Sequence, residues 1–167
     1  MNTSILTIDP GARSWGVSIF HGRQIIACMI KNLSAKDSPG NRLSQVRAVF
    51  LSLCREYNPT VLVIENPCEF LKYQSDHLAS VILEIRRLAK RKHIKVIEYS
   101  PEAVRKFLCK DEHATMRNIA DVVSQSYPDL KDYLAEVWKC KDKYWGRMVG
   151  SVGLGICYLI RQKLINF

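Results

Sequence analysis

A chain of 167 residues with 47% apolar side chains is long enough to bury one core and too apolar to be disordered. Its 25 lysines and arginines against 16 aspartates and glutamates give a formal net charge of +9, which suggests a polyanionic partner such as nucleic acid. No apolar run is long enough for a membrane span, no secretion leader opens the chain, and none of the six cysteines forms a C-x-x-C pair. The expectation is one domain over 1–167 with reduced thiols and no zinc site or membrane association, located intracellularly, cytoplasmic or nucleoid-associated.

The chain begins with three β-like runs, 4–9, 14–20 and 24–31, and Gly22 marks a hairpin between the second and third. A polar Pro/Gly loop at 34–41 leads into apolar residues at helical spacing over about 42–57. "VLVIE" (61–65) is short and continuously apolar, as in a buried parallel strand. A second helix carries Leu78, Val81, Ile82, Ile85 and Leu88, and "IKVIEY" (94–99) is the next strand. Ser100 followed by Pro101 and Glu102 is a helix start. Helical stretches follow near 114–126, 129–139 and 144–163. Three meandering strands and then αβ crossovers predict an α/β fold: one mixed five-stranded sheet with helices on both faces.

Two acids end apolar strands. Asp9 closes the first, directly before Pro10-Gly11, and Glu65 closes "VLVIE". A right-handed crossover can set these strands side by side and parallel, bringing both carboxylates to one sheet edge. Each acid alone reads equally well as a turn former or strand-end cap. Together they repel unless a cation lies between them, and Mg²⁺ or Mn²⁺ is the expected one. Two such ions about 3.5–4 Å apart would form a phosphodiester-cleaving centre.

"ILTIDPGARSWGVSIF", "VLVIENP" and "IEYSPEAVRKFL" resemble, in order, three motifs of RuvC-type Holliday-junction resolvases, within the RNase H-like superfamily. The resemblance implies metal-dependent endonuclease action on branched DNA and a homodimer. It assigns Asp9 and Glu65 as metal ligands and sets Arg105 (or Lys106) near the scissile phosphate. It also implies a closing helix with acids at i and i+3, where this chain has Arg147 and Gly150. The nearest acid, Asp142, lies about 7–12 Å away along a helix axis and serves as third ligand only if the helix is shifted. A basic residue expected before the penultimate helix is offset by one: Met116 stands in its place and Arg117 follows.

Arg86, Arg87, Lys90 and Arg91 interleave with the apolar face of the second helix, either as a solvated face or as phosphate contacts, and Lys106 and Arg117 join them as candidate DNA ligands. Two readings follow. The favoured one is an active nuclease with Asp142 as a rearranged ligand. The other is a catalytically degenerate protein that binds branched DNA. A late "GSVGLG" (150–155) could suggest a phosphate loop of an actin-like phosphotransferase, but it falls within the expected last helix.

Overall fold

The computed structural model describes residues 3–11, 13–33, 38–66, 76–139 and 145–165. Five strands, β1 (Ser4–Pro10), β2 (Ser14–His21), β3 (Gln24–Asn32), β4 (Val61–Glu65) and β5 (Lys95–Tyr99), form one sheet in the order β3-β2-β1-β4-β5. The first three are antiparallel, with Gly22 in the left-handed region (φ 59°) at the hairpin. β4 runs parallel to both β1 and β5. This is the expected mixed sheet.

Alternation along the strands decides which layer each side chain meets. Leu6 and Ile8 of β1 and Leu62 and Ile64 of β4 face one side. There they pack on Val46, Phe50 and Leu53 of α1 (Pro39–Tyr57) and on Val81, Ile82 and Ile85 of α2 (Asp76–Arg91). Arg47 of α1 reaches Glu84 of α2 at 2.6 Å, joining these helices. Ile5, Val61 and Val63 face the other side. That layer holds α3 (Pro101–Cys109), α4 (Met116–Ser126), a short 3-10 turn (Pro128–Leu130), α5 (Lys131–Lys139) and α6 (Trp145–Arg161).

Local signals set the helix starts. Ser38 caps α1 through the Asn41 N–H with Pro39 in the first turn, so α1 begins earlier than its apolar spacing predicts. Ser100 caps α3 as expected, and Thr115 forms a reciprocal capping box with Asn118 at α4. Pro128 confines the chain to a 3-10 turn before α5, so helix begins at Lys131 rather than 129. Cys54 and Cys157 are buried free thiols, and Cys28 and Cys109 are half-buried free thiols. No helix among the described residues is long and apolar enough to cross a membrane.

α6 lies unusually close to the sheet. A Cβ added to Gly16 in mid-β2 would run into the backbone carbonyl of Arg147, and one added to Gly155 would meet the Phe20 ring. "GSVGLG" is therefore buried helix at a close contact and not a phosphate loop. Ser151 fixes the rotation of α6. Its carbonyl accepts from Thr7 Oγ1 (2.7 Å), and its hydroxyl meets Ser18 Oγ (2.6 Å) while donating to the Met148 carbonyl (2.7 Å). Arg147, one turn before Ser151, and Gly150, the residue directly before it, consequently face the end of β1.

Gly16→Ala should lower unfolding free energy by about 3 kcal/mol or more, because rigid backbone blocks the new methyl. Gly40→Ala in the first turn of α1, where the Cβ meets nothing within 4 Å, should be neutral or stabilising by up to ~1 kcal/mol. Urea denaturation of both variants checks the contrast.

Candidate active site

Asp9 follows Ile5 and Thr7 on the alternating face of β1, and Glu65 follows Val61 and Val63 on β4. Both carboxylates therefore enter the α6 layer. The strands are in register through Ile8 opposite Ile64, so Asp9 and Glu65 are the next residues of neighbouring parallel strands. Asp9 lies within hydrogen-bonding reach of Glu65. The sheet edge thus carries the expected acid pair.

The third group is a guanidinium. Arg147 Nη1 donates to Asp9 Oδ1 at 2.9 Å and to the Pro10 carbonyl at 3.0 Å. The Asp9 side chain is 5% exposed and that of Arg147 39%, so the arginine covers the acid from the solvent side. Glycines make room for it. A Cβ on Gly11 would strike Arg147 Nε and Cζ, and a Cβ on Gly150 would strike Asp9 Oδ2.

Burial pushes Asp9 up to about 6, although Arg147 opposes the rise through its charge and its hydrogen bond. Glu65 is pushed up to about 8 by burial first and the Asp9 charge second, against the pull of Arg147 and Arg105. The two acids titrate as a pair. Burial and mutual repulsion favour protonation of the pair, and the Arg147 charge opposes it.

Residues 5–128 match the family model described as crossover junction endodeoxyribonuclease RuvC. The chain belongs to the RuvC family. That match includes Asp9, Glu65 and Arg105 and stops short of α6. No curated protein sequence matches the chain. Among solved structures, Thermus thermophilus RuvC is similar at a TM-score of 0.69 and 14% identity, covering 96% of this chain and 97% of that one. T. thermophilus RuvC in complex with a Holliday junction substrate gives 0.73 and 15%, covering 97% and 96%. The yeast mitochondrial Holliday junction resolvase Ydc2 gives 0.71 and 14%, covering 98% and 80%. These likenesses establish the RNase H-like fold.

The described residues do not fit a two-ion centre. No three His, Cys, Asp or Glu side chains among them gather closely enough to hold a metal. A guanidinium occupies Asp9 Oδ1, and α6 presents a glycine to Oδ2. Asp142, the expected third ligand, lies outside the described residues.

The other predicted site residues divide between the two layers. Arg105 on α3 is near enough to Glu65 to bias its titration, yet its guanidinium bonds the Glu112 carbonyl at 2.8 Å and lies 3.5 Å from Glu102. Lys106 is exposed on α3 and Arg117 on α4, in the same layer as the acid pair. Arg86, Arg87, Lys90 and Arg91 are exposed on α2, in the opposite layer. Arg86 is ion-paired with Glu98 (2.9 Å), which also accepts from Asn66 Nδ2 (2.7 Å), immediately after Glu65. Sequence reasoning passed over Glu98, Asn66 and Gly16, while the glycines of the last helix did point to close packing against the sheet. Gly16 inside an apolar strand was the available sign of a close backbone approach.

The acid pair should make stability fall as pH rises. Between the ordinary carboxylate range near 4 and about 8, the folded state holds more protons here than the unfolded chain, so unfolding free energy declines with pH. The groups facing Glu65 are Asp9 on β1, Arg147 on α6, and Arg105 and Glu102 on α3. Glu65→Gln should flatten the decline. Chemical denaturation from pH 5 to 8 checks this, and equal slopes for the two proteins would contradict it.

Proposed function

We propose that this RuvC-family protein binds branched DNA of the four-way-junction kind, as a homodimer, and that Arg147 suppresses divalent-metal cleavage. The Arg147–Asp9 contact at 2.9 Å carries this reading, because it puts a fixed positive group where the acid pair would otherwise need a cation. Of the two readings open from sequence, the geometry favours the degenerate one. Binding is supported by the family, by the net charge of +9 and by exposed cations on both layers. A homologue in this family is seen with a Holliday junction substrate. A four-way junction is two-fold symmetric, which suits a symmetric pair of chains.

Metal-dependent catalysis in this family would use Mg²⁺ or Mn²⁺ held by Asp9, Glu65 and a further acid. Here burial favours protonation of the acid pair and Arg147 bonds Asp9, so a metal would have to displace the arginine. Gly150→Asp alone does not repair the centre, because its Cβ collides with Asp9 unless that carboxylate turns away. The double change Arg147→Asp with Gly150→Asp removes the resident cation and supplies both helix acids.

The protein should bind a four-way junction in preference to duplex of equal length and leave it uncut in millimolar Mg²⁺ or Mn²⁺. The double variant should gain cleavage. A gel assay of binding and nicking decides. Cleavage by the unaltered protein that is lost in both Asp9→Asn and Asp142→Asn would establish the active reading with Asp142 as ligand.

A further inference from the structure

Arg147 engages Asp9 and Pro10 through one nitrogen. A guanidinium carries five N–H donors in a planar fork, two of them on Nη1. Those two match its contacts to Asp9 Oδ1 and to the Pro10 carbonyl. Nη2 and Nε have no hydrogen-bond partner among the described residues. The side chain remains 39% exposed over an acid that is only 5% exposed, so the Nη1 edge of the fork is anchored, Nε and Cζ pass close to Gly11, and part of the side chain stays open to solvent.

Such an arrangement has a clear chemical complement. A planar, permanently charged fork with free donors matches the two non-bridging oxygens of a phosphodiester. The anchoring carboxylate restricts the arginine to one position, so little side-chain freedom remains to be lost on contact. Arg147 also lies in the first turn of α6, at the positive end of the helix dipole. Arg105, the other nearby arginine, is tied to Glu112 and Glu102 and has less to offer.

We propose that Arg147 binds one backbone phosphate of branched DNA directly, so that the Asp9–Glu65 centre anchors the DNA without any divalent ion. The proposal rests on the reading that the protein binds branched DNA. It adds a specific ligand and predicts that this contact is indifferent to chelators.

The test is a scan of four-way junctions in EDTA, each with a single neutral methylphosphonate at one of the positions flanking the branch point. With the unaltered protein, one position per symmetric half should weaken binding about tenfold or more, as for loss of a charge-assisted hydrogen bond. In Arg147→Gln that position should stop mattering, while the others keep their effects. Arg147→Lys should retain part of the sensitivity. A flat scan with tight junction binding would overturn the proposal and leave the DNA-binding reading standing, and it requires no variant to fold. A scan with the same sensitive position in Arg147→Gln would assign the phosphate to another residue. Binding that vanishes in EDTA and returns with Mg²⁺ would replace the arginine by an ion. Failure to prefer a junction over duplex would overturn the binding reading and this proposal together.

Discussion

The organisation of this protein turns on the ion pair between Arg147 of α6 and Asp9 at the end of β1. A carboxylate buried at a strand end is costly unless something positive compensates it, and Glu65 on the next strand makes the requirement stricter. Here the compensation is built into the chain. Nη1 of Arg147 serves Asp9 and the Pro10 carbonyl at the same time, so the pair also satisfies a backbone acceptor beside the Pro10-Gly11 turn.

Holding an arginine in that position constrains much of the surrounding sequence. α6 must approach β2 at backbone distance, which Gly16 allows, and the guanidinium needs the space that a side chain at residue 11 would fill. The Ser151–Thr7–Ser18 hydrogen bonds then set the rotation of the helix and satisfy polar groups in an otherwise apolar layer. Glycine in a helix interior lowers helix propensity by about 1 kcal/mol relative to alanine. The glycines of α6 therefore make sense through packing. Gly155 sits against Phe20, Gly153 against Ile119 and Leu108, and Gly150 against Asp9.

Much of this was legible in the sequence because the informative signals are local or periodic. Alternation and continuous apolar runs identified all five strands, and the crossover rule placed β4 beside β1, which brought Asp9 and Glu65 together. The departures at Arg147 and Gly150 were visible as residues of the wrong type in a known pattern. What could not be read was their outcome. Whether an arginine at 147 repels a metal from a distance or bonds Asp9 depends on sub-ångström helix placement, which no spacing rule reports. In sequence the basic run on α2 reads either as a solvated face or as phosphate contacts. The fold sends it to the opposite layer and engages Arg86 with Glu98, a partner distant in sequence. Helix starts shifted by a few residues where a cap or a proline overrode apolar spacing, as at Ser38 and Pro128.

On the proposed reading, the consequence for function is a RuvC-family fold in which a tethered guanidinium stands where the acid pair would otherwise take a metal. A divalent ion would have to displace an arginine that bonds both Asp9 and the Pro10 carbonyl. The most direct test is a crystal structure after a Mn²⁺ soak near neutral pH, read by anomalous scattering. The account predicts no anomalous peak between Asp9 and Glu65, with Arg147 still on Asp9. A strong peak bridging the two carboxylates, with Arg147 swung away, would contradict it.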